Sequence, residues 1–540
     1  MQEPGPFEHV LQTDTSPTRD RAAAIIVAAG IVLGLFMLLL VLPPISILDN
    51  GEDDTSAQGP VTATARDQMP PVPSGLEAVS ALYDLQSTEP VNRAATVGVP
   101  LTSTQEATAE LFLYTYQDDA WHEVGTATVV AEGEAASGDV DPLPSNVAVF
   151  RRGEVSRSVS GSLPPNGEVD EGALATLTTL NAQGYTLNDD GSIGGGLGSL
   201  PDNLAVALVP TIRVTDAAVL GSILSSSEGR TAHIDAIVAL VSDNSYSGVD
   251  LDYRAMDAQD GDDFVSFVAA LSERLQETER VLTMTLPAPL RQGTDWDTRG
   301  FDWDRLAPLV DTIKVTPDSA PGTSYATLND AVAYLVPRVG ASKLFITVET
   351  LSREQSTEGV RALTLTEALT LASTPAIQGE TPVEASASVT AYAQNLSEES
   401  GGGPLRWDDT GKAVTFMYTG GGGSRSVWFA NAFSESFKLD IAQRYQLGGV
   451  AIEDVSNATR DSNVVAAVSG FASSGDVELV QPHGNLLLPH WTVSGGTVEP
   501  ETGASVTWQA PDEPGDYTLT LIVSDGAIRL GQELQLSVGP

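Results

Sequence analysis

An unbroken apolar run from Ala22 to Leu42, AAAIIVAAGIVLGLFMLLLVL, dominates the first part of the chain, and no polar residue interrupts any face of it. A helix rises about 1.5 Å per residue, so roughly 20 residues cross a bilayer core. Arg19 and Arg21 precede the run, and Asp49, Glu52, Asp53 and Asp54 follow it. Positive flanks stay inside. Residues 1–21 are therefore expected in the cytoplasm, 22–42 as a single transmembrane helix in the cell membrane, and the rest outside the cell. A cleaved signal peptide is the alternative, but its apolar core would span about 7–15 residues beside a small-residue cleavage site.

Residues 43–74 are acidic and rich in Gly, Pro, Ser and Thr, a composition suited to a flexible linker. Over 75–152 the pattern shortens to alternating segments: AATVGVPL, AELFLYTYQ, WHEVGTATVV and NVAVFRR. These predict strands of a small β-sandwich, with Asp118-Asp119-Ala120 as a hairpin turn. Over 174–471 apolar strands alternate with amphipathic helices. LAVALVPTI, GVDLDY, VLTMTLPA, DTIKVTP, KLFITVE and GGVAIED read as strands. TAHIDAIVALVSD and DDFVSFVAALSERL read as helices, the second with Asp262 or Asp263 as N-cap and a stripe of Phe264, Phe267, Val268, Leu271 and Leu275. About eight βα units over such a length predict a TIM (β/α)8 barrel. Over 474–540 alternation returns in WTVSGGTVEP, ASVTWQAP and DYTLTLIVSDG, predicting a second small β-domain.

Hydrophobic residues make up 41% and charged residues 18% of the 540, which fits folded domains with cores. Acids outnumber bases 72 to 27, for a formal charge of -45. Such a surface repels phosphate backbones, so no nucleic-acid partner is expected. There is no cysteine, which excludes disulfides and thiolate chemistry. The histidines (His9, His122, His233, His483, His490) show no metal-ligand spacing, so neither a metal site nor a cofactor is expected.

The stretch YSGVDLDYRAM carries the most specific signal. It resembles the D-x-x-D-x-D-x-E motif that ends the fourth barrel strand of family 18 glycoside hydrolases, with Ser247, Asp250, Asp252 and Arg254 in its frame. YTLNDDGSI, LGSILSSSEGRTAHIDAIV and VWFANAFSESFKLDIAQRYQLGGVAIEDV resemble further parts of that family in the same order, the last being most similar to the spore-germination and cortex-lytic branch. The C-terminal WQAPDEPGDYTLTLIVSDG resembles bacterial Ig-like or PKD-like modules. The resemblance implies a substrate-assisted mechanism, in which the motif's last glutamate protonates the glycosidic oxygen and the aspartate before it holds the substrate's N-acetyl group. Arg254 stands in that glutamate's place, and a guanidinium keeps its proton at any physiological pH. Two further positions depart from the family. Pro317 stands where a tyrosine is usual, beside a retained Asp318, and Glu453 stands where the last strand ends in tryptophan.

The strand ends thus bring Asp250, Asp252, Arg254, Asp318, Glu349 and Glu453 towards one face. Arg254 could pair with two carboxylates and plug the pocket. Otherwise the pocket binds a glycan or a carboxylate-bearing ligand, or Glu349 and Glu453 form a relocated acid/base pair. Trp296 and Trp303, after the fifth strand, are candidate sugar platforms or loop packing. The leading expectation is a membrane-anchored extracellular pseudoenzyme that binds cell-wall or surface glycans or acts as a scaffold. An active glycosidase on peptidoglycan or a chitin-like polymer, and a structural cell-envelope or surface-layer protein, are the alternatives.

Overall fold

The computed structural model describes residues 47–48, 62–66, 68–70, 72, 76–86, 95–117, 120–152, 157–201, 204–254, 256–317, 320–475 and 477–540. The predicted transmembrane helix at 22–42, the turn residues Asp118 and Asp119, and Asp318 lie outside them. Among the described residues no helix is long and apolar enough to cross a membrane. The chain divides into two units, 1–153 and 154–540.

The first unit contains the expected short strands, but their pairing runs continuously through nine strands instead of splitting into two sheets. Ala120–Val130 is the physical reason. It pairs with Leu111–Gln117 along its first part and with Ala135–Val140 at its end, so one long strand serves both neighbours. Period-two alternation sends Val97, Val99, Leu111, Leu113, Val147 and Val149 to one core. On the opposite face Leu82, Ala148 and Phe150 form a smaller cluster, with Trp121 edge-on to Phe150 at 4.8 Å.

The second unit is built on a closed barrel of eight parallel strands: β1 (Ser158–Leu163), β2 (Thr179–Leu187), β3 (Thr211–Arg213), β4 (Gly248–Asp252), β5 (Val281–Pro287), β6 (Thr312–Thr316), β7 (Leu344–Val348) and β8 (Gly449–Ile452). β1 closes the ring by pairing with both β2 and β8. The barrel thus starts ahead of the expected boundary at 174. SVSGSL hides its strand character because the alternate residues Ser160 and Ser162 face the polar lumen, while Val159 and Leu163 join the outer core. Each strand alternates in the same way. In β4, Val249, Leu251 and the following Tyr253 pack outward, whereas Asp250 and Asp252 point inward.

Helix α1 (Ser227–Asp243) is capped by Ser226, whose Oγ accepts from the Gly229 N–H at 3.1 Å. Helix α2 (Gly261–Gln276) buries the predicted stripe, but its N-cap position is Asp260, ahead of Asp262 and Asp263. Those two carboxylates instead pair with Arg305 at 2.5 Å and Arg230 at 3.0 Å, so ion pairing has displaced capping. Helices α3 (Ser324–Val339), α4 (Ala432–Arg444) and α5 (Val464–Ser474) continue the outer ring.

Between β7 and α4 the chain leaves the barrel. A five-stranded antiparallel sheet forms there from 352–363 and 406–428. The strands Pro375–Ile377, Val383–Glu384 and Ser388–Ala393 of this insertion do something the sequence reading did not anticipate. They complete both sheets of the C-terminal sandwich. Ser388–Ala393 pairs with Ser505–Gln509, and Val383–Glu384 with Arg529–Gly539. A single core holds Leu369 and Phe416 of the insertion together with Trp491 and Trp508 of the C-terminal strands. The segment 474–540 is therefore half of a composite lobe and not the separate module that its pattern suggested. Buried Asp525 ties this lobe to the barrel by accepting from Asn431 Nδ2 at 2.6 Å, at the start of α4.

Candidate functional site

Side chains from the C-terminal ends of the strands line an open cavity of about 330 Å³. In the parallel register Asp250 lies beside Thr211, and Asp252 beside Arg213. Asp250 is buried in the lumen. It accepts from the hydroxyls of Thr283 at 2.8 Å, Thr211 at 3.0 Å and Thr285 at 3.1 Å, and pairs with Lys314 Nζ at 3.0 Å. Lys314 also donates to Asn181 Oδ1 at 2.7 Å. Every acceptor direction of Asp250 is thus committed, as a charge in the interior requires.

Asp252, also buried, is held by two guanidiniums. Arg213 Nε donates to it at 2.9 Å, while Arg254 Nε and Nη2 donate at 2.6 and 2.7 Å in a two-pronged contact. Burial works against the Arg254 charge, but the Asp252 carboxylate outweighs it and raises the pKa further. Arg254 pairs with Asp252 alone, where the plugging arrangement called for two carboxylates. Neither Glu349 nor Glu453 closes over Arg254, and the cavity stays open beside it.

Glu349 and Glu453 converge instead on Arg353. Its Nη2 lies 3.0 Å from Glu349 and makes a short contact with Glu453. Behind them, Lys438 of α4 donates to Glu349 at 2.5 Å and to Glu435 at 3.0 Å. Burial alone would raise the Glu349 pKa, but Lys438 and Arg353 hold it below the usual carboxylate range. Burial, helped by the charge on Glu349, pushes Glu453 upward and Glu435 up to about 7.

Of the other sequence candidates, Trp303 is buried in the barrel's outer core, and Trp296 stacks on Tyr334 of α3 with ring centroids 4.4 Å apart. Neither lines the cavity. Sequence reasoning had missed Arg213, Lys314, Arg353, Glu435 and Lys438 as site residues. Arg213 and Lys314 carried a readable signal, namely a cation in the inward phase of a short apolar strand, in TIR and in IKV.

Residues 215–457 match the family model described as glycosyl hydrolases family 18. The barrel carries a family 18 domain. YdhD of Bacillus subtilis (strain 168), whose name assigns it a sporulation-specific glycosylase role, is 23% identical over 241 residues, 43% of this chain and 52% of that protein. The chain thus spans about half the length of this curated relative. Among solved structures, the spore cortex-lytic enzyme SleL of Bacillus megaterium QM B1551 is similar with a TM-score of 0.47 and 14% identity, over 66% of this chain and 79% of that one. A chitinase from Chromobacterium violaceum ATCC 12472 is similar with a TM-score of 0.45 and 18% identity, over 58% and 98%.

Proposed function

We propose that this chain is a membrane-anchored, extracellular glycan-binding or scaffold protein whose family 18 barrel does not hydrolyse. The observation that carries this reading is the doubly held Asp252. The motif position that calls for a proton donor is occupied by Arg254, and the Asp252 carboxylate that would orient an N-acetyl group is engaged by two guanidiniums. An acid that acts in catalysis must give up its proton and take it back. Arg254, protonated and fixed on Asp252, cannot do so. The open polar cavity supports retention of a ligand, and the name of YdhD, a sporulation-specific glycosylase, points to a glycan. The apolar run 22–42 supplies the anchor in this reading.

Incubation with chitooligosaccharides and muropeptides should give no cleavage products, while a glycan array should give binding. A second reading keeps an enzyme, because Glu453 and Glu349 meet at Arg353 with their proton affinities driven in opposite directions. It requires turnover that disappears in Glu349→Gln, and such turnover would overturn the pseudoenzyme.

A further inference from the structure

At the rim formed by β3 and β4, two guanidiniums share one carboxylate. Asp252 accepts from both Arg213 and Arg254, and no second acid forms an ion pair with either of them among the described residues. The β3–β4 rim therefore carries a local excess of one positive charge, although the chain as a whole is strongly negative. The side chains of Arg213 and Arg254 remain 38% and 40% exposed, so both reach the cavity. Elsewhere in the cavity Lys314 is matched by Asp250, and Arg353 faces two acids, Glu349 and Glu453, so the positive excess is confined to the β3–β4 rim.

A second observation lies on the β7 wall of the same cavity. Thr347 is only 7% exposed, and its Oγ1 has no hydrogen-bond partner. Arg353 Nη1 is likewise buried without an acceptor. Both are donors, and unsatisfied buried donors are costly unless a ligand meets them. Glu453 and Asp454 line the β8 side and repel anions, so the cavity is polarised across its width.

We propose that the cavity selects a sugar unit bearing a carboxylate. The acid group sits on Arg213 and Arg254, and neutral oxygens of the same unit accept from Thr347 and Arg353. Guanidinium forks suit a planar carboxylate, whereas a neutral chitin-like unit would leave the surplus charge unmatched. This inference rests on the glycan-binding reading and narrows it to acidic glycans. The carboxylate could come from a uronic acid or from the lactyl ether of a muramic acid unit.

Two matched pairs of probes separate these sources and test the idea on the full chain. One pair is a glucuronate-containing tetrasaccharide and its carboxyl-reduced form. The other is an N-acetylglucosaminyl-N-acetylmuramic acid disaccharide and its methyl ester. The acidic member of at least one pair should bind about tenfold more tightly than its neutral partner, as one charge-assisted hydrogen bond would give. Arg213→Gln and Arg254→Gln should each abolish that preference, and Arg254→Lys should restore part of it in a protein that keeps its charge. Equal binding within both pairs would overturn the acidic-sugar inference while leaving glycan binding intact. Absence of binding by all four probes would remove the glycan-binding reading and this inference with it.

Discussion

Arg254 turns back towards Asp252 and grips both oxygens of its carboxylate, with contacts of 2.6 and 2.7 Å, although the two residues are only two positions apart at the end of β4. The same carboxylate is already held across the sheet by Arg213. Removing one guanidinium therefore does not strand the buried charge. Arg254→Gln should cost about 1 kcal/mol or less, because the arginine is partly exposed and screened. Thermal unfolding would show it as a small shift, and loss of the folded barrel would contradict the shared arrangement.

Lys314 offers the opposite case. It lies in the lumen between Asp250 and Asn181, with no exposed alternative for either partner. Lys314→Met should destabilise the barrel by about 3–5 kcal/mol, since it leaves an uncompensated buried carboxylate. Adding Asp250→Asn should recover much of that loss. Urea titrations of the single and double variants measure both, and a double variant no more stable than Lys314→Met would refute the charge-matching account.

A pH dependence follows from His233. Gly191 O can only accept, so the 2.9 Å contact makes Nδ1 the donor and leaves Nε2 to accept from the Tyr253 hydroxyl at 2.6 Å. Burial lowers its pKa to about 4, against about 6.5 in an unfolded chain. The unfolded state therefore binds the proton more readily. The contribution is fully present above pH 6.5 and is lost as pH falls towards 4, roughly 3 kcal/mol in all. The stability difference between the native protein and His233→Gln should shrink across that interval, and a difference independent of pH would exclude this origin.

Truncation tests the composite lobe. Without residues 477–540, the strand Ser388–Ala393 loses its neighbour Ser505–Gln509, and Leu369 and Phe416 lose Trp491 and Trp508 from their core. The shortened chain should bind hydrophobic dye and be cut by protease within 375–393. An unchanged cleavage pattern there would mean that the insertion folds independently.

The barrel was legible because its strands announce themselves on their outer faces. Val249, Leu251 and Tyr253 alternate with acids that only a polar lumen explains. Where the lumen-facing residues are small and polar the signal fades, and β1 escaped notice because Ser160 and Ser162 face the lumen and Gly161 breaks the outer row between Val159 and Leu163. The motif located Asp250, Asp252 and Arg254, but their partners come from other strands, so sequence spacing could not show that Arg213 and Lys314 would meet them. The two tryptophans pack instead of lining the cavity for a related reason. A ring near a strand end packs on whatever the fold brings over it, and here that is Tyr334 for Trp296 and the outer core for Trp303. The C-terminal strands were readable one by one, but no local pattern reveals that two of their pairings reach back to strands before α4.

The distance along the chain between those neighbours has a kinetic cost. Ser388 donates to Gln509 across 121 positions. During synthesis the strand Ser388–Ala393 must wait with an open edge until its partner emerges from the ribosome. Pairings of such long sequence separation form slowly and leave strand edges available to other chains meanwhile. Overproduction of this protein should therefore respond strongly to slower expression or to added chaperones, because the vulnerable interval is set by delivery of the polypeptide rather than by the stability of the finished lobe.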